Sequence, residues 1–300
     1  MRLITKSVPM NFNLFLVSCT HWGSKFHHQS GWENLIDMMD SQYAGIPASA
    51  NYLVHHGDAI EAIDIFDKRW SLQGCEPGGI IPQLDNSVEM LEPLKKKIVT
   101  LLQGNHEQLL EARYGNVTAW VSKELEVPYG TYTSVISYVS KKDGSLLFKQ
   151  FATHGFGVLQ SSADDIKRRN SNRELSLKRK LKNKVGDAFL MTMGHTHKLI
   201  ISKPEPELFI YGTDDKLKQM YTYTAPNAPY IPPDLRWYIN VGAFFKMYGN
   251  NLVDHDFNKP EEGVSSSYAE RAGYDPIELG FAVVMVRDGV IVDIRKEVVD

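Results

Sequence analysis

The chain has 300 residues, 43% hydrophobic and 23% charged, with a net charge of -3. Those proportions describe an ordinary soluble globular protein able to bury a sizeable core, and give no global reason to expect nucleic acid or an acidic membrane as partner. Two cysteines, Cys19 and Cys75, are too few for a secreted disulfide scaffold and fit a reducing, cytoplasmic setting.

Leu16-Val17-Ser18-Cys19, with Arg2 and Lys6 upstream, has the look of a bacterial lipoprotein signal. Asn11 and Asn13 interrupt it, leaving a clean apolar run shorter than the roughly 7–15 residues such a signal uses. No run approaches the roughly 18 apolar residues of a membrane span, so no membrane partner is expected.

In chain order, Asn13 to Ser18 reads as a buried strand and Cys19 to His28 as the loop leaving it. Trp32, Leu35, Ile36 and Met39 recur at helical spacing over Trp32 to Asp40. Tyr52 to His56 is a second strand ending at Gly57-Asp58. A polar loop, Gly74 to Pro82, leads to a helix over Ser87 to Lys97, and Ile98 to Leu102 is a strand closing at Gly104-Asn105. Thr131 to Val139 and Ser145 to Thr153 flank Lys141-Lys142-Asp143-Gly144, which is hairpin turn chemistry. Ala188 to Met193 is apolar and leads into Gly194-His195. Phe281 to Val286 and Val290 to Ile294 flank Arg287-Asp288-Gly289 as a second hairpin, giving C-terminal strands over about 281–296. The Pro- and Tyr-rich stretch at about 203–236 is expected as an insertion over the active face. Alternating strands and helices predict an α/β fold, and the absence of repeats or linkers favours one domain over 1–300.

Polar residues gather where these strands end: Cys19 and His21, Asp58, Asn105 and His106, His154, then His195 and His197. In layered α/β folds the loops beyond strand C-termini converge on one rim. Five such loops can aim imidazoles and a carboxylate at one point, a donor set suited to Zn, Fe or Mn. The neighbouring glycines are expected to supply positive φ or a close backbone approach. Each fragment alone is weak, since a lone buried histidine is usually a satisfied core residue and Gly-Asp is usually a turn. The five in this order are not.

That order resembles the calcineurin-like metallophosphoesterase superfamily, whose blocks run D-x-H, G-D, G-N-H-[DE], H and G-H-x-H. The likeness spans about residues 14 to 198. It implies a four-layer α/β/β/α sandwich of two mixed sheets and two divalent metal ions. By position, His21 and His197 would share one ion with residue 19, Asp58 would bridge, and Asn105, His154 and His195 would hold the second. His106 would stand beside the substrate phosphate and act on it, with Asn105 also near the substrate. Two cations roughly 3.5–4 Å apart acidify a bridging water to hydroxide near neutral pH, and this attacks a phosphomonoester or phosphodiester in line. No side chain need act as covalent nucleophile.

One position departs from the pattern: residue 19 is cysteine where the superfamily has aspartate. A thiolate two residues before His21 is a competent ligand, and its softness favours Zn or Fe(II) over Mg and Ca. The bland alternative is a small buried hydrophobe beside a weakened metal site. It opens a second class of function, a degenerate module that binds a phosphate ligand or partner without turnover.

The basic run from Lys167-Arg168-Arg169 through Arg173 to Lys184 reads first as a solvated helix with Leu175, Leu177 and Leu181 turned inward. Its sharper reading is an electropositive wall, with Arg168 and Arg169 holding a nucleotide or nucleic-acid substrate. Trp22, His27 and His28 read as surface loop, with a place on the pocket rim as the alternative, and His55 and His56 as core, with His56 alternatively supporting the metal ligands from behind. The substrate itself stays open between nuclease-like diesterase and phosphatase.

Overall fold

The computed structural model describes residues 1–71, 74–75, 78–248 and 266–299. It is a mixed α/β structure with six α-helices and two large mixed sheets among those residues. The first sheet has five strands, in the order β13 (Val290–Val298), β12 (Gly280–Arg287), β2 (Phe12–Val17), β3 (Asn51–His55) and β4 (Ile98–Leu101). The second has six, in the order β1 (Arg2–Val8), β5 (Thr133–Ser140), β6 (Leu146–Thr153), β7 (Leu190–Met193), β11 (Trp237–Val241) and β8 (Leu199–Ser202). β2, β3 and β4 run parallel in one sheet, and β6, β7 and β11 run parallel in the other.

Period-two alternation decides what each strand buries. One cluster joins Phe12, Leu14, Leu16, Tyr52 and Val54 of the first sheet to Ile136, Tyr138, Phe148, Ala152 and Ile239 of the second. The opposite side chains of β2 and β3, Phe15, Val17 and Leu53, pack with Trp32, Leu35 and Met39 of α1 (Gln29–Asp40) and Leu84 and Leu91 of α2 (Ile80–Leu91). The same cluster takes in Leu110 of α3 (Asn105–Tyr114) and Val121 of α4 (Val117–Glu124). On the second sheet, Val135, Phe151 and Met191 pack with Leu177 and Leu181 of α5 (Ile166–Leu181). The short α6 (Tyr268–Arg271) lies near the C-terminus.

Several expectations are corrected. The second helix spans Ile80–Leu91 rather than Ser87 to Lys97, so Pro82 lies within its first turn, where a missing N–H costs nothing. Glu92–Leu94 is a separate 3₁₀ turn. Glu76 and Pro77 of the expected loop lie outside the described residues. Leu175 is 58% exposed, so only Leu177 and Leu181 of the three leucines turn inward.

The stretch at 203–236 holds a hairpin of β9 (Leu208–Thr213) and β10 (Lys216–Tyr221), which pair only with each other. The contact that anchors it lies away from the candidate site residues, not over them as expected. The stretch rejoins the body where the Ile231 N–H donates to Gly186 O at 2.9 Å, before β7 begins and so at the end remote from His195. No described helix is long and apolar enough to cross a membrane.

Candidate metal centre

Cys19 and His21 follow β2, Asp58 follows β3, Asn105 and His106 follow β4, His154 follows β6, and His195 and His197 follow β7. Every one of these strands runs parallel to a neighbour in its sheet, so their C-terminal ends open on one rim. There the potential donor atoms of Cys19, His21, Asp58 and His197 lie within 4.8 Å of one another, as do those of Asp58, His154 and His195. Asp58 belongs to both groups.

The second group is drawn together by Asn105. Its Oδ1 lies 2.9 Å from His154 Nε2 and 2.7 Å from His195 Nδ1, and Asp58 Oδ2 lies 3.1 Å from His154 Nε2. His154 Nδ1–H donates to the His56 carbonyl at 2.6 Å, so a neutral ring turns a lone pair, not a proton, toward those oxygens. Lone pairs converging on a shared point fit a cation. Burial opposes protonation of His154, yet Asp58 outweighs it and raises its pKa. Burial likewise pushes Asp58 up, but His154, His106 and His21 outweigh it and hold the carboxyl well below its usual range.

In the first group, His21 Nε2 faces His197 Nε2 at 3.3 Å, and the buried Nδ1 of His197 has no hydrogen-bond partner among the described residues. Burial drives His21 down to about 4 and His197 well below the usual value, keeping both rings neutral as ligation requires. Cys19 Sγ lies 3.1 Å from Ser18 Oγ and also receives the His195 backbone N–H. Burial, then Asp58, pushes the thiol well up, so it is neutral until a cation displaces its proton. Sulfur, two imidazoles and a carboxylate make a set suited to a borderline-soft divalent ion.

The backbone is held out of its preferred regions at these residues. Cys19, His21, Asp58, His195 and His197 all have φ between 52° and 66°. Such left-handed conformations cost a non-glycine residue about 1–3 kcal/mol each and persist where surroundings over-determine them. The neighbouring glycines take both expected forms, positive φ at Gly57 (88°) and Gly155 (98°) and a close approach at Gly104 and Gly194. Gly104 has φ -100°, and what it supplies is room, since a Cβ there would sit 2.1 Å from Asp58 Oδ1. At Gly194 a Cβ would sit 2.1 Å from Ser18 Oγ.

Three residues that the sequence reading passed over complete the site. Glu61, 2% exposed, places Oε2 2.8 Å from His21 Nδ1. Glu107 gathers the N–H groups of Asp58, Ala59, Ile60 and Gly104 on its carboxylate, at 3.1, 2.5, 3.2 and 2.8 Å. It thereby fixes the Asp58 loop to the first turn of α3. Arg69 donates from Nη1 to His106 Nε2 at 3.0 Å, is clamped by Asp67 through Nε and Nη2, and lies over the Tyr268 ring at 5.5 Å. The acid of Gly104-Asn105-His106-Glu107 was a legible signal. Nothing in the sequence tied Glu61 or Arg69 to the other blocks.

His106 belongs to neither of the groups built on Asp58. Its Nδ1–H donates to the Glu61 carbonyl, its N–H donates to Asp58 Oδ1 at 2.9 Å, and its ring meets that of His21 at 4.6 Å. With Asp58, Arg69, Asn105, His195 and His197 it lines an open cavity of about 460 Å³, walled also by Tyr268 and Tyr274. Arg168 and Arg169 do not line it. Arg169 is spent on the carbonyls of Ala163 and Asp164, and Arg168 is exposed. His28 caps α1 by accepting from Gly31 N–H at 2.8 Å, and Trp22 is buried against Trp32, so neither belongs to a surface loop. Phe245 backs the first group, its ring centre 4.9 Å from His21. In searches of protein-family models and of curated proteins, nothing matches this chain.

Proposed function

We propose that this chain is a metal-dependent phosphoester hydrolase of the calcineurin-like kind, with two divalent ions bridged by Asp58. The observation that carries the reading is the sharing of one Asp58 carboxylate by two groups of donors, all buried except the half-buried His195. The packing of helices against the outer side chains of both sheets fits the four-layer α/β/β/α sandwich of that superfamily. Cys19, His21 and His197 would complete one ion's set, and Asn105, His154 and His195 the other's. The thiol of Cys19 favours Zn or Fe(II) in the first position, with Mn a further candidate for the second.

Two such cations supply Lewis-acid stabilisation and a nucleophile at neutral pH. The chain's own residues arrange the rest. Arg69 is pre-oriented by Asp67 and Tyr268, so its guanidinium meets a phosphoryl oxygen with little loss of side-chain freedom. In the free molecule Arg69 occupies the lone pair of His106 Nε2. A phosphoryl group that takes Arg69 frees Nε2 to hold a proton for the leaving oxygen, while the Glu61 carbonyl keeps the ring aimed.

A second reading, a module that binds phosphate without turnover, is favoured by one observation: the buried Cys19 thiol resists ionisation. Elemental analysis of the purified chain with assays on p-nitrophenyl phosphate and bis(p-nitrophenyl) phosphate separates the two. Two equivalents of metal and turnover, both lost in Asp58→Asn, support the hydrolase. Phosphate binding with no turnover under any of Zn, Fe(II) or Mn supports the module.

A further inference from the structure

We propose that the metal-facing cavity continues into a second anion subsite, formed by Lys198 and Arg173, which takes a non-scissile phosphate of the substrate. The inference rests on the hydrolase reading and narrows it to phosphoesters that carry a second phosphate group.

Lys198 directly follows His197. With Ile277 it lines both the cavity over the metal centre and an adjoining cavity of about 320 Å³ that Arg173 also lines. Among the described residues Lys198 makes no hydrogen bond or ion pair, although it is half-buried. Arg173 reaches this place from α5, its side chain 20% exposed, and its buried Nε has no partner. Its one ion pair among the described residues, from Nη2 to Asp275, is 3.7 Å long and ends on a carboxylate that is 74% exposed.

Asp275 acts on both cations but is largely exposed, and the other acids nearby are engaged or held back from ionising. Glu278 is held by Lys296 Nζ at 3.0 Å, and burial raises the pKa of Glu174. The junction therefore offers two cations with unused donors, one residue beyond a metal-site histidine. Arg69 and His106 stand elsewhere on the wall of the same main cavity. A scissile phosphoryl at the metal centre leaves a second phosphate at Lys198 and Arg173. The basic run of the sequence thus contributes Arg173, not Arg168 or Arg169.

Two kinds of molecule carry that chemistry, a nucleic-acid strand through its flanking phosphate and a small bisphosphorylated nucleotide. The test uses the full chain loaded with Mn, compared with an Arg173→Ala/Lys198→Ala double variant. The substrates are the p-nitrophenyl ester of thymidine 5′-phosphate and the same ester bearing a 3′-phosphate. The expected result is a preference for the two-phosphate ester, as a ratio of kcat/KM values, of about tenfold or more, in keeping with one or two charge-assisted hydrogen bonds. In the double variant the ratio falls toward one. A wild type without preference, or a ratio unmoved by the substitutions, overturns the subsite.

If neither ester is turned over, the hydrolase reading is decided by the mono- and diester assays under Zn, Fe(II) and Mn, and the subsite by calorimetric titration with thymidine 3′,5′-bisphosphate against thymidine 5′-monophosphate. Tighter binding of the bisphosphate that the double variant loses supports the subsite, and equal affinities overturn it. A strand as the source is supported when trithymidylate shows the same dependence on the two cations. If only the bisphosphate shows it, the small nucleotide is the source.

Discussion

The Glu61 carboxylate closes on His21 Nδ1 at 2.8 Å, with both side chains shut off from solvent. Bonded there, the ring turns Nε2 toward His197, and a carboxylate on the far nitrogen makes an imidazole a better ligand. Burial pushes the Glu61 carboxyl up to about 8, and Glu61→Gln keeps the shape while removing its capacity to carry charge. Its metal affinity, measured by titration against a competing chelator, is expected to fall about 10–100-fold at one of the two sites. Wild-type affinity in that variant would make Glu61 a packing residue.

Gly104 carries a different constraint. A methyl group added there meets Asp58 Oδ1 at 2.1 Å and Asp58 N at 2.2 Å, and neither belongs to a flexible chain end. Gly104→Ala is expected to lower unfolding free energy by about 1–3 kcal/mol, the range for overpacking a tight interior. It should also displace Asp58 and reduce bound metal. Chemical denaturation and elemental analysis of one preparation check both. A stable, fully metallated variant would show that the loop shifts at little cost.

The strand ends were legible because each is an apolar run stopping at Gly or a polar ligand, and β2, β3 and β4 are buried at every residue. β1 was not legible. It lies at the edge of its sheet and buries only Ile4 and Val8, so its polar residues mask the alternation. The helix α3 was hidden because its first residues are the site residues Asn105 and His106 and its burial is confined to His106, Glu107 and Leu110. Glu61 and Arg69 lie in a stretch without regular periodicity. Their relation to His21 and His106 exists only in three dimensions, across separations of 40 and 37 residues.

His106 is expected to govern rate and not metal content. It stands outside both donor groups that share Asp58, and its Nε2 lies beside Arg69 in the cavity. His106→Gln should lower turnover about 10²- to 10⁴-fold, the range for a general acid or base. Its metal stoichiometry should stay at the wild-type value. A substrate with a very good leaving group should recover part of the loss, because it needs no proton. Loss of metal together with activity would instead make His106 a ligand, through the donor group it forms with His21 and Glu61.

Cys19 is where this chain departs from the superfamily it resembles, and pH distinguishes ligand from packing. Burial and Asp58 hold the thiol well above its usual pKa, so at neutral pH it is protonated in the metal-free molecule. His154 is raised as well, by Asp58 against burial. Metal binds the deprotonated forms, so affinity rises with pH, by about tenfold per unit for each proton released. Cys19→Asp places an oxygen ligand whose carboxyl ionises far more readily than the thiol. The slope of log affinity against pH, measured between pH 6 and 8, should therefore fall by about one in Cys19→Asp, with preference moved toward harder ions such as Mn. Cys19→Ala loses the ligand and its proton, and the first site should weaken at every pH. In a Cys75→Ser background, alkylation of Cys19 should be slow with metal bound and faster after chelation. An unchanged slope in Cys19→Asp, with full affinity in Cys19→Ala, would leave the sulfur as packing and remove it from the ligand set.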